Sequence, residues 1–214
     1  MRGVEPALLR KSPRRGAAPR SSPPTLLRQH RPPPGNWPTT PPKPSVAGID
    51  VLVNNAGVYP AAPTAQTNDD TFDRVIAVNV RAPFYLVAQL APSMAQRGRG
   101  TIINIGSWVS TVGLPVGVLY AASKAMLEQL TRGWAAELGP AGVRVNAIAP
   151  GIIATEGNAD HTKTLDPMVN RFPARRLGLP DEIAHAAVYL ASDEATFMHG
   201  STLLIDGGAL TTRA

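Results

Sequence analysis

The chain predicts an α/β fold: a parallel sheet covered by helices, preceded by a Pro/Arg-rich segment that joins neither. Three observations carry this. Four short, β-branched runs recur between residues 49 and 208, each ending in Asn, Gly, Ser or Pro. Helix-length segments separate them. Residues 1–47 have a composition that suits neither strand nor helix.

The first run, Ile49-Asp-Val-Leu-Val-Asn-Asn-Ala-Gly57, reads as a buried strand closing on polar and small residues. A helical segment follows from Asn68 to about Gln96. Gly100-Thr-Ile-Ile-Asn-Ile-Gly-Ser107 is the second strand, with its serine at the carboxyl end. Val118 to Leu138 is the next helix, with Leu127, Leu130, Trp134 and Leu138 as an apolar stripe at helical spacing and Ala121, Ala122 and Ala125 as small residues. Val143-Arg-Val-Asn-Ala-Ile-Ala-Pro-Gly151 is the third strand, Asp181 to Ser192 a helix, and Ser201-Thr-Leu-Leu-Ile-Asp-Gly-Gly208 the fourth strand. Strands alternating with helices imply parallel pairing through right-handed crossovers. All carboxyl ends then lie along one rim, where open α/β sheets bind ligands. Asn55, Ser107, Tyr120 and Pro150-Gly151 are expected to converge there despite their separation in sequence.

Tyr120-Ala-Ala-Ser-Lys124 carries the clearest chemistry. A tyrosine and a lysine at i and i+4 share a helix face. An ammonium beside a phenol lowers a pKa that otherwise sits near 10. Ser107, thirteen residues upstream, is placed to polarise a carbonyl or hydroxyl next to it. Taken alone, the pair also fits an amphipathic helix with an exposed lysine.

In combination, residues 49–210 resemble the catalytic part of a short-chain dehydrogenase/reductase. Asn54-Asn55-Ala56-Gly57 matches that family's Asn-Asn-Ala-Gly element, and Asn79, Ser107, Tyr120 and Lys124 match its catalytic tetrad. Pro150-Gly151-Ile152-Ile153-Ala154-Thr155 matches the element at the nicotinamide end of the cofactor, and Pro173 to Gly178, Pro180 to Ala184 and Asp206-Gly207-Gly208 are similar to the usual C-terminal third. The Tyr-x-x-x-Lys spacing differs from the wider spacing of the enoyl-reductase branch. The resemblance implies Tyr120 as general acid/base and Ser107 as a hydrogen-bonding partner of the substrate oxygen. Lys124 would lower the Tyr120 pKa and hold the nicotinamide ribose. Asn79 would hold a water relaying protons, or tie two strands together. Asn55, Ala56, Gly57, Pro150, Gly151, Ile153 and Thr155 would line NAD or NADP together with Tyr120 and Lys124; for Thr155, capping of the next segment stays open. The implied fold is a partial Rossmann-like doubly wound parallel sheet. The implied partners are a small alcohol or ketone and, through the Val118–Leu138 helix, further copies in a homodimer or homotetramer.

The family opens with a strand, a Gly-rich turn, a helix and a second strand, which receive the pyrophosphate and select NAD against NADP. No such pattern precedes Ile49, so the sheet is expected to lack its first strands and residues 48–214 to form a truncated domain. Residues 1–48 hold 12 of the chain's 22 prolines and nine Arg or Lys against the single acid Glu5. Their formal charge is +8, leaving −2 for residues 49–214 within the overall +6. We read 1–47 as disordered, with polyproline II character. A transit peptide, a basic nucleic-acid arm and an out-of-frame start in GC-rich coding sequence all fit this composition, and the last fits best. A bare edge at Ile49–Val53 is then expected to make the chain poorly soluble and weak in dinucleotide binding.

The remaining features exclude rather than assign. There is no cysteine, so no disulfide or thiolate metal site. His30, His161, His185 and His199 show no metal-ligand spacing. No uninterrupted apolar run reaches about 18 residues, so no membrane-crossing helix is expected and a cytoplasmic location follows by default. The segment Glu156 to Gly178 corresponds to the variable substrate loop, where Arg171, Arg175 and Arg176 could attract an anion or form a solvated face.

Overall fold

Four parallel strands run in the spatial order β1 (Val51–Asn54), β2 (Gly100–Ile105), β3 (Val143–Pro150), β4 (Thr202–Ile205) in this computed structural model. It describes residues 48–115, 117–156 and 162–211; the expected disordered leader lies outside them. Register is continuous across the centre, with Val51 opposite Thr101 and Asn54 opposite Asn104, then Asn104 opposite Ala147 and Ile148 opposite Leu203. Strand order equals chain order, so every crossover returns to the adjacent position.

Period-two alternation divides the core between the two faces. Ile102, Val143 and Val145 pack with Val87, Ala91 and Met94 of α2 (Ala82–Gln96) and with Leu127 and Trp134 of α3 (Val118–Leu138). On the opposite face Ile103 and Ile148 pack with Leu190 of α5 (Pro180–Ala191). Of the predicted apolar stripe, Leu127 and Trp134 are buried here and Leu130 and Leu138 lean on the same cluster, so the stripe serves the fold. β1 has a neighbour on one side among the described residues, and Val51 and Val53 are 41% and 45% exposed.

The first long helix differs from its expectation. α1 (Asp69–Ile76) is capped by Asn68, whose side chain accepts from Thr71 N at 2.9 Å. The helix then widens into a π turn over Ala77–Arg81 before α2 begins. Pro83 explains the site of the widening. It has no N–H to donate to the carbonyl of Asn79 four residues back, and its ring crowds that carbonyl. By length and composition the whole run Asp69–Gln96 could cross a membrane, contrary to the expectation from uninterrupted apolar runs. Val75, Val80, Val87, Ala91 and Met94 within it are buried in the protein core.

A second correction concerns the segment 156–178, expected as a loop: it contains the helix α4 (Thr162–Val169). Arg144 joins the third strand to the end of α5. Its guanidinium donates to the carbonyls of Leu190 at 2.6 Å and Ser192 at 3.1 Å, acceptors at the helix end, and to that of Ala195 at 3.2 Å in the turn beyond.

Leu190→Ala should lower unfolding free energy by about 2–5 kcal/mol, because a fully buried side chain leaves a cavity between α5 and the sheet. Urea unfolding of the variant beside the parent chain, followed by circular dichroism, measures the difference.

Candidate active site

The strand tips open into a cavity of about 830 Å³ lined by Asn55, Gly57, Ser107, Tyr120, Lys124, Pro150, Gly151, Ile153 and Thr155. These nine of the expected site residues converge as the rim argument requires. Ala56 does not line it. Asn79 lies beneath the lining, fully buried in the π turn.

Ser107 stands two residues past β2, where its side chain accepts from Val109 N at 3.5 Å and so caps the short 3₁₀ turn Trp108–Thr111. That turn faces α3, which begins after Gly117 and carries Tyr120, Ser123 and Lys124 in its first two turns. Lys124 is buried and its Nζ donates to the carbonyl of Ile105 at 2.7 Å. The same Nζ lies 5.9 Å from the centre of the Tyr120 ring. Gly57 closes over it: a Cβ there would meet Nζ at 3.4 Å and Asn79 Oδ1 at 3.6 Å.

Electrostatics here differ from the expectation that Lys124 lowers the Tyr120 pKa. Burial pushes Tyr120 above its ordinary 10, a hydrogen bond with Ser107 pulls the other way, and Tyr59 adds to the rise. The ammonium is engaged by a backbone carbonyl and lies over the ring, so desolvation prevails. Burial likewise lowers Lys124 to about 8, with the nearby Glu128 carboxylate opposing the fall. Both groups are thus driven toward their neutral forms.

Asn79 forms the structural tie of the two roles considered for it, though it joins a loop to a helix rather than two strands. Its Oδ1 accepts from Val58 N at 2.9 Å, while its Nδ2 donates to the Val58 carbonyl and to Ser123 Oγ, each at 2.9 Å. Both amide protons are therefore committed to protein. A second buried chain links β1 to α3: Asn54 Nδ2 donates to Asn104 Oδ1 at 2.7 Å, and Asn104 Nδ2 donates to Thr131 Oγ1 at 2.8 Å.

Several participants escaped the sequence reading. Glu128, buried on α3 one turn beyond Lys124, accepts from Ser110 Oγ at 2.7 Å. Gly106 admits it, since a Cβ at that position would lie 2.6 Å from Glu128 Oε1. The i, i+4 spacing of Lys124 and Glu128 was a usable signal. Tyr59, Trp108, Leu165 and Met168 also line the cavity. Leu165 and Met168 sit at i, i+3, a helical spacing that could have betrayed α4. The three arginines of the substrate segment do not reach the lining. Arg176 instead donates to both carboxylate oxygens of Glu182 at 2.7 and 2.8 Å. That bond, with the one Glu182 accepts from Leu179 N at the start of α5, holds its carboxyl down at about 2.

A family model described as "Enoyl-(Acyl carrier protein) reductase" matches residues 43–210. The chain belongs to the short-chain dehydrogenase/reductase family. It is 40% identical over 168 residues to an uncharacterized oxidoreductase of Thermotoga maritima, covering 75% of this chain and 67% of that one. A solved gluconate 5-dehydrogenase from Burkholderia cenocepacia, in complex with NADP and tartrate, superposes with a TM-score of 0.75 at 37% identity, over 79% of this chain and 68% of that one. A 4-hydroxyisoleucine dehydrogenase complexed with NADH gives 0.73 at 37%, over 77% and 69%. The chain spans about two thirds of the length of the relatives it matches.

Glu128→Gln should lower the Lys124 pKa further, because a negative charge that favours the ammonium is removed while burial is unchanged. NMR titration of the lysine side chain measures this; an unmoved or raised value would show that Glu128 has no electrostatic hold on it.

Proposed function

We propose that this chain carries the catalytic part of an NAD- or NADP-dependent oxidoreductase that interconverts an alcohol and a carbonyl compound. The observation that carries the reading is a phenol, a hydroxyl and a buried lysine lining one cavity, with the lysine Nζ 5.9 Å from the centre of the phenol ring. In reduction, the Tyr120 phenol donates its proton to the substrate oxygen and the Ser107 hydroxyl donates a hydrogen bond to it, stabilising charge as it develops. The phenol, with its pKa at or above the ordinary 10, is protonated at neutral pH, the form a proton donor needs.

Asn55, Gly57, Pro150, Gly151, Ile153 and Thr155 fit the nicotinamide end of a dinucleotide, as residues without bulky charge around the strand tips. Lys124, with a pKa of about 8, has donors for ribose hydroxyls. When bound, the dinucleotide supplies or accepts the hydride at the carbonyl carbon. Because both side-chain amide protons of Asn79 are held by Val58 and Ser123, a water relay near it would use its main chain. A cytoplasmic setting and a homodimer or homotetramer belong to the same reading. Phe84, Tyr85, Leu86 and Met126 are exposed on α2 and α3, the helices that face the first core cluster, and this supports self-association.

A second reading is favoured by β1, which has a strand neighbour on one side among the described residues and leaves Val51 and Val53 exposed. On that reading the chain keeps the tetrad but holds dinucleotide too weakly to turn over. Energy transfer from tryptophan to added NADH or NADPH separates the two: saturation supports the enzyme, and a flat response supports the non-catalytic fragment.

Tyr120→Phe should reduce the rate of ketone reduction by about 10²–10⁴-fold, the range for loss of a positioned proton donor, and should change dinucleotide affinity far less, since the ring that lines the cofactor is kept. Stopped-flow absorbance of NADH or NADPH reads the rate, and retention of full activity would remove Tyr120 from the chemistry.

A further inference from the structure

We propose that the substrate side of this cavity is built for an uncharged, apolar carbonyl compound of alicyclic type rather than for an anionic or polyhydroxylated one. The inference rests on the reading of the cavity as an oxidoreductase active site. Tyr120 and Ser107 mark where the reacting oxygen sits. Bulky side chains that share the cavity with them include Tyr59, Trp108, Val109, Leu165 and Met168, and the aliphatic Ile152, Ile153 and Ile183 extend the same apolar lining.

These walls are organised, not incidental. Tyr59 meets Tyr120 edge-on, with ring centres 6.3 Å apart and planes at 65°. Trp108 follows Ser107 directly and is backed by Phe172, with ring centres 6.0 Å apart at 70°. Phe172 is itself buried, so the indole rests on a fixed support. Edge-to-face pairs of this kind hold flat apolar surfaces in place and offer them to a ring-shaped ligand.

The charge inventory points the same way. Among the described lining residues Lys124 alone carries a full charge, and its Nζ already donates to Ile105. Arg176, the arginine tied closest to the cavity's helix α5, is neutralised by Glu182 through two hydrogen bonds. Arg171 and Arg175 lie outside the lining. Among the described lining residues, a carboxylate entering here would meet Lys124 as its one cation, already bonded to Ile105, and a polyol would leave hydroxyls unpaired against Leu165 and Met168. An apolar ring, by contrast, gains from leaving water.

Isothermal titration calorimetry on the full chain tests this with decalone, a bicyclic ketone, and with a ketogluconate, a polyhydroxylated keto acid. Decalone should bind at least tenfold more tightly. Trp108→Ser should weaken decalone at least fivefold and leave the ketogluconate unchanged. Met168→Lys, a milder change on α4, should weaken decalone and strengthen the ketogluconate. Absent decalone binding, equal or tighter binding of the ketogluconate, or decalone affinity unmoved by both substitutions would overturn the assignment. Hydride transfer is read separately on the same proteins. Decalone that binds but is never reduced by NADH or NADPH counts against the catalytic reading and leaves the pocket assignment standing; reduction of the ketogluconate alone overturns the pocket assignment.

Discussion

The seating of α3 on the strand tips is the constraint on which the rest of this molecule depends. Four polar side chains on its inner face, Ser123, Lys124, Glu128 and Thr131, are all buried. Between them they are bonded to three elements: Asn79 of the π turn, the carbonyl of Ile105 and the side chain of Asn104 in β2, and Ser110 of the 3₁₀ turn. Buried polar groups are costly when unpaired, so this face admits one docking position in which all four are met. That position also sets Tyr120 against Ser107. The apolar stripe of the same helix, Leu127 and Trp134, supplies adhesion without such directional demands.

The same burial that fixes geometry also sets the titration behaviour. Phenol and amine lie one helical turn apart in a poorly solvated cleft, and each is shifted toward its uncharged form. Glu128 works against this for the lysine while holding the turn that carries Trp108. One buried carboxylate thus links the support of the cavity wall to the charge on Lys124. Pro83 has a comparable double effect, since widening the helix at Asn79 leaves that side chain facing Val58 and Ser123.

Much of the site was legible in the sequence, for a simple reason. Strand ends in a parallel sheet fall on one side, so Asn55, Ser107 and Gly151 could be brought together on paper from strand boundaries alone. Lys124 and Tyr120 followed from helical spacing. Glu128 was not found because a carboxylate four residues from a lysine reads as a solvated pair on a helix surface, and nothing local reveals the glycine at 106 that makes room for it. α4 was missed because Pro167 and scattered polar residues mask a short apolar spacing. The arginines of the substrate segment were ambiguous in sequence, and the Arg176–Glu182 pair shows one of them serving the start of α5.

Periodicity and strand punctuation determined the order of elements, the parallel sheet and the rim, and the choice of phenol, hydroxyl and amine upon it rested on helical spacing together with the family resemblance. These are local properties, written in the spacing of neighbouring residues. Tertiary structure alone decided which way burial moves the pKa values, which side chain of Asn79 or Glu128 meets which partner, and what the cavity wall is made of. Those outcomes depend on desolvation and on contacts between residues far apart in the chain, such as Asn54 with Asn104 or Trp108 with Phe172, and no local spacing encodes them.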